Sequence, residues 1–155
     1  MQAVMISIHP KWCELIAQGR KTVECRTEVP KNIQWDKPFK VYVYCTKAKA
    51  ITWRHPLTGE RMDGRVVGEF ICDGIYYAKR ILDGVPTFYR KIIADACLTE
   101  KEVDKYSRGG TVFGWHISGF KLYGKTIALS DFGLSYAPQS YYYIEDRGAW
   151  ENEPV

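Results

Sequence analysis

The chain has 155 residues and a mass of 17.9 kDa, with 46% hydrophobic and 26% charged residues. That size predicts one domain over residues 1–155, able to bury about 68–70% of its unfolded surface, and the composition excludes a disordered or low-complexity chain. The net charge of +4 is uneven, with nine basic against four acidic residues in 1–50, seven of each in 51–100, and six against seven in 101–155. An anionic partner is therefore expected to meet the N-terminal third.

In chain order, Val4–Ile8 reads as a short strand stopped by His9-Pro10. Pro10 suits the first position of a helix, where its missing N–H costs nothing. Trp12, Leu15 and Ile16 then share one helical face, and Gly19 is a natural left-handed terminator, which gives a helix over 10–18. Lys21–Arg26 reads as a strand with Thr22, Glu24 and Arg26 on one side and Lys21, Val23 and Cys25 on the other. Lys40–Cys45 is a β-branched and aromatic strand, residues 54–64 a loop or hairpin tip, and Arg65–Cys72 another strand.

The period changes in the middle of the chain. Residues 87–97, with Phe88, Ile92, Ile93 and Ala96, suit a helix after Pro86. Thr99-Glu100-Lys101-Glu102 is a capping box that opens a further helix ending near Gly109-Gly110. Val112–Ile117, Phe120–Tyr123 and Tyr141–Ile144 return to strands, and residues 151–155 read as a frayed tail beyond a core of about 4–145. Short strands with a helix after the first and one or two helices inserted in the middle make an α+β domain, and closure into a small β-barrel would remove its exposed edges.

Several chemistries are excluded. No apolar stretch approaches the ~20 residues of a membrane span, and Met1–Met5 lacks the basic and apolar regions of a leader, so a cytosolic protein with no membrane contact is expected. Cys13, Cys25, Cys45, Cys72 and Cys97 are odd in number and widely spaced, which predicts reduced thiols rather than a disulfide framework or a zinc knuckle. His9, His55 and His116 lie at no ligand spacing, so no metal is expected and His116 reads as a structural histidine. No Gly-rich phosphate loop and no Gly-x-Ser-x-Gly elbow occurs, so no cofactor is expected.

The most informative segment is Gly19-Arg20-Lys21-Thr22-Val23-Glu24-Cys25-Arg26, a Gly-x-Lys-x-x-Glu-x-Arg pattern at a helix-to-strand junction. Glu24 and Arg26 share a face, close enough to pair. The segment resembles the signature of the ASCH family, the activating signal cointegrator homology domain, matched by Gly19, Lys21, Glu24 and Arg26. The blocks around Met5–Pro10, Val41–Lys47, Gly64–Phe70, Trp115–Ser118 and Pro138–Tyr141 resemble the rest of that family, in its bacterial and phage-borne form. The resemblance implies a PUA-like barrel with a cleft lined by the signature residues, and an RNA or nucleotide as partner.

The residues make physical sense in that light. Lys21, Arg26 and Lys47 supply positive charge for phosphate, and Trp12, Trp35, Tyr42 and Tyr44 supply rings on which bases stack. The nucleic-acid set is thus Lys21, Glu24, Arg26, Tyr44, Lys47 and Glu69. A hydrolase acting on RNA or on a modified nucleoside is the alternative, with Lys21 and Glu24, or Lys47 and Ser140, as reactive groups. The branch of the family that resembles amidohydrolases on acylated cytidine has a threonine where this chain has Glu24, which argues against amide cleavage here. A third reading is a protein-interaction module in which Glu24 and Arg26 form a structural ion pair. The ammonium of Lys21 is expected to reach Glu24 or Glu69 across the cleft, through a bulge or twist near Thr22.

Overall fold

The computed structural model describes residues 2–34, 36–49, 53–78 and 87–146. Two sequence expectations, the ring of Trp35 and the frayed tail at 151–155, lie outside these residues. The elements run β1 (Ala3–Ile8), α1 (Pro10–Ala17), β2 (Val23–Arg26), β3 (Phe39–Cys45), β4 (Arg65–Ala78), α2 (Thr87–Asp95), α3 (Glu100–Ser107), β5 (Val112–Ile127), a 3-10 turn (Leu129–Phe132) and β6 (Tyr142–Ile144). They form one six-stranded mixed sheet in the order β2-β5-β4-β3-β1-β6, with β1 and β3 parallel and the other pairs antiparallel. The class is α+β, with a helix after the first strand and two in the middle, as the periodicity predicts. The described residues hold no ladder between the outer strands β2 and β6.

Alternation assigns the two faces of the sheet. Val4, Ile6 and Ile8 of β1, Val41, Val43 and Cys45 of β3, and Trp115 and Ile117 of β5 point to one side, where Cys13 and Ile16 of α1 cover them. Met5, Tyr42, Tyr44, Val66 and Tyr123 point to the other, covered by Phe132 of the 3-10 turn. A third, smaller core forms where Val23 and Cys25 of β2 meet Tyr89 and Ile92 of α2 and Val103 of α3. α2 thus packs on β4 and β2, and α3 packs against α2 in the same cluster, which brings α3 to the site described below.

The long strands differ from expectation. Val112–Ile117 and Phe120–Tyr123 belong to one strand, β5, and β4 continues six residues past Cys72. Gly119, with φ +59°, and register shifts along the β4–β5 ladder bend this pair without ending it, because a bulge increases local twist while pairing resumes beyond it. Gly119 therefore reads in sequence as a turn and in three dimensions as a kink. Among the described residues, no helix is long and apolar enough to cross a membrane.

Candidate functional site

The site begins at the C-terminal end of α1. Gly19 adopts φ +74° and donates to Ile16 O, and the N–H groups of Arg20 and Lys21 both turn back to Leu15 O at 2.9 and 3.1 Å. Lys21 therefore belongs to the helix-terminating turn, and β2 begins only at Val23. This corrects the expected strand over Lys21–Arg26 and removes the need for a bulge near Thr22. A residue in a turn is exempt from strand alternation, so Lys21 reaches the face that Glu24 and Arg26 occupy. Thr22 anchors the junction, donating its N–H to Asp95 O and accepting from Ile117 N, both at 2.9 Å.

Three charged side chains meet there, all buried. Lys21 is 2% exposed, Glu24 8% and Arg26 9%. Lys21 Nζ stands 3.5 Å from Glu24 Oε2, and Arg26 Nη1 stands 3.7 Å from Glu24 Oε1. Each cation also has carbonyl partners. Lys21 Nζ donates to Ala96 O at 2.7 Å, while Arg26 donates to Ser7 O at 3.3 Å and to Ser140 O at 2.5 Å. Arg26 thereby ties the outer strand β2 to β1 and to the residues before β6. Removing one partner of such a buried array leaves an uncompensated charge, a loss of about 3–5 kcal/mol.

The three side chains line a cavity of about 290 Å³ together with Ser7, Ile8, His9, Trp12, Cys25, Leu98, Glu102 and Tyr106. The Trp12 ring takes Lys11 Nζ at 4.6 Å and Lys21 Nζ at 5.1 Å from its centroid, cation–π contacts that orient the indole at the edge of the cavity. Lys21 and Arg26 face Glu24 and Glu102, so the cationic and carboxylate side chains lining the cavity balance two against two. The positive surplus of the N-terminal third lies elsewhere. Lys47, for example, lines a separate concavity with Ala48, Lys49, Arg61 and Asp63.

The remaining predicted residues are not gathered here. Glu69 and Tyr44 sit on the opposite face of the sheet. Tyr44 is buried in the second core, and Glu69 pairs with Lys40 at 3.2 Å rather than with Lys21. Ser140 meets the site only through its backbone carbonyl, since its hydroxyl donates to Glu28 at 2.9 Å. Strand alternation accounts for Glu69 and Tyr44: Glu69 is register partner to Tyr42, and Tyr42 and Tyr44 share the face that turns away from the cavity. His116 bonds Asp73 at 2.5 Å, and no group of three or more metal-ligating side chains occurs among the described residues.

Sequence reasoning missed Leu98, Glu102, Tyr106 and the Ala96 carbonyl. They come from α3 and the turn before it, and the bond from Lys21 to Ala96 spans 75 residues. The capping box located α3, but nothing local indicated which strand it would cover.

Residues 6–77 match the model of the ASCH domain. The fold is similar to that of the solved ASCH protein of Zymomonas mobilis, with TM-score 0.67, 20% identity, and 92% of this chain and 87% of that chain covered. A serine-to-alanine variant of that protein gives TM-score 0.68 at 19% identity over 92% and 88% of the two chains. A tyrosine-to-phenylalanine variant gives 0.68 at 19% over 94% and 91%. No curated protein sequence matches the chain. Lys21, Glu24 and Arg26 lie within the segment, residues 6–77, that matches the ASCH domain, and the chain is similar in fold to the solved ASCH protein.

Proposed function

We propose that this chain binds RNA or a nucleotide and seats one nucleoside unit in the cavity bounded by β1, α1, β2 and α3. The observation that carries this reading is the buried Lys21–Glu24–Arg26 array opening on a cavity with two aromatic residues, Trp12 and Tyr106, in its lining. Small-ligand pockets occupy roughly 300–1,000 Å³. The cavity of about 290 Å³ stands at the lower end, suited to one nucleoside rather than a helix of nucleic acid. Aromatic rings hold unstacked bases of single strands, and Lys11, beside Trp12 and outside the buried array, is placed to meet phosphate. In this reading the sheet closes as a PUA-like barrel through the Arg26 side chain, and the protein works in the cytosol, where its thiols remain reduced.

Titration with a short single-stranded RNA at two ionic strengths tests it. Affinity should fall as salt rises, because phosphate contacts release counterions. Binding that is absent, or that ignores salt, overturns the proposal. Lys21→Ala should abolish binding and Lys31→Ala should leave it within about two-fold, with circular dichroism to verify that both variants fold. Equal effects would mean that general charge alone matters.

Hydrolysis of RNA is the second reading, favoured by one observation: Glu24 is a carboxylate within 4 Å of two cations, an arrangement that suits a general base with charge stabilisers beside it. Incubation with a mixed RNA, and separately with acylated cytidine, followed by mass spectrometry, distinguishes the outcomes. RNA fragments support this reading. Release of the acyl group would overturn the reading that a carboxylate at position 24 argues against amide cleavage.

A further inference from the structure

Glu24 is the acceptor around which the cavity is arranged. Lys21 and Arg26 approach one oxygen each, at 3.5 and 3.7 Å, but these are ion-pair separations rather than well-formed hydrogen bonds. Neither cation therefore commits a Glu24 oxygen to a close hydrogen bond. The two cations are themselves oriented by carbonyls, at Ala96 for Lys21 and at Ser7 and Ser140 for Arg26, so they are held beside the carboxylate without filling its lone pairs. A carboxylate offers about four lone-pair positions, and the Glu24 side chain, 11% exposed, keeps part of them open to the cavity. The site is therefore built for a ligand that brings N–H groups to both oxygens.

Resting on the reading that the cavity seats a nucleoside, we infer that the base it selects is guanine, read by Glu24. Guanine presents N1–H and the 2-amino group side by side, one donor for each carboxylate oxygen. The adjacent O6 is an acceptor, and a cation flanks the carboxylate on either side to meet it. Uracil presents a single N–H between two carbonyls and would leave one Glu24 oxygen unfilled. Cytosine and adenine place an acceptor ring nitrogen beside their amino group, which would set lone pair against lone pair at the second oxygen. This repulsion supplies discrimination as much as the matched edge does. Stacking on Trp12 or Tyr106 holds any base and adds no preference.

The test is calorimetric titration of the folded protein with GMP, UMP, CMP and AMP. GMP should bind about 5- to 150-fold tighter than the other three, the range expected of a bidentate contact. Equal affinities, or preference for another base, overturn the inference and leave nucleotide binding intact. Failure of all four to bind a folded protein removes the nucleotide reading and the inference with it. Glu24→Gln replaces two acceptors by one acceptor and one donor, which complements cytosine and adenine, so the preference should move from GMP towards CMP or AMP. Uniform weakening towards all four nucleotides would show that Glu24 has only a structural role. Should that variant not fold, inosine monophosphate, which lacks the 2-amino group, decides with the unaltered protein. It should bind about tenfold more weakly than GMP, and equal binding overturns the inference.

Discussion

Burial divides the five cysteines into two chemical kinds. Cys13, Cys25, Cys45 and Cys72 are buried, and Cys97 is half-buried in the turn after α2, its thiol donating to Arg20 O. Burial pushes the Cys25 and Cys72 thiols up to about 12, with the nearby Glu24 charge adding to the effect at Cys25. Burial raises Cys13 as well, with its neighbour Cys45 contributing. The thiolate is the reactive form, so buried thiols held protonated are inert. A thiol reagent at pH 8 should label one cysteine in the folded protein and all five in denaturant. Cys97→Ser should abolish the folded-state labelling. Rapid labelling of two or more in the folded state would contradict this assignment.

At the scale of elements, α3 connects local sequence to the site. Thr99 Oγ1 accepts from Glu102 N at 3.1 Å and Glu102 Oε1 accepts from Thr99 N at 3.0 Å, a reciprocal cap. The same helix carries Glu102 and Tyr106 to the cavity. Thr99→Ala should cost about 1 kcal/mol, read as a lower melting temperature. It should also speed amide exchange in α3 ahead of the sheet. Unchanged exchange in α3 would show that packing in the α2–α3 cluster, rather than the cap, sets the helix.

The β4–β5 pair is constrained differently. A Cβ at Gly68 would stand 2.4 Å from Lys121 O and 2.8 Å from Phe120 Cζ. The first contact is with backbone, so Gly68→Ala must part the two strands. Overpacking of this kind costs about 1–3 kcal/mol or more, and the urea midpoint should fall accordingly, whereas Gly74→Ala, which meets no atom within 4 Å, should fall much less.

For the whole molecule, a second charged cluster holds the far face of the sheet. Lys40 Nζ lies 2.8 Å from Asp146 and 3.2 Å from Glu69, joining β3, β4 and the segment after β6. Burial alone would lower the Lys40 pKa, but the hydrogen bond to Asp146 and the Glu69 charge outweigh it, and the net direction is upward. A lysine whose folded pKa exceeds its unfolded value stabilises fully below the ordinary lysine range, ~10.4, and that contribution is lost as pH rises through the folded value. Melting temperature should therefore fall more steeply above about pH 10.4 in the parent protein than in Lys40→Met. Parallel pH curves would show that the cluster adds no pH-dependent stability.

How much of this was legible in the sequence follows from the range of the forces involved. Period-2 and period-3.6 patterns, the Pro10 start, the Gly19 stop and the Thr99 cap are local, and they determined the α+β class and most of the elements. The signature spacing was local too, so Lys21, Glu24 and Arg26 could be named before their geometry was known. Tertiary structure alone decided which of the other named residues share the cavity. Alternation shows that Tyr42 and Tyr44 share a face, but only the sheet order and its coverings show that this face, with Glu69, turns away from the signature. Only packing of α2 on β2 and of α3 against α2 brings Tyr106 and Glu102 to the cavity and the Ala96 carbonyl to Lys21. Such contacts join segments far apart in the chain, and they form because separate apolar faces are buried together, a pairing that no local pattern encodes.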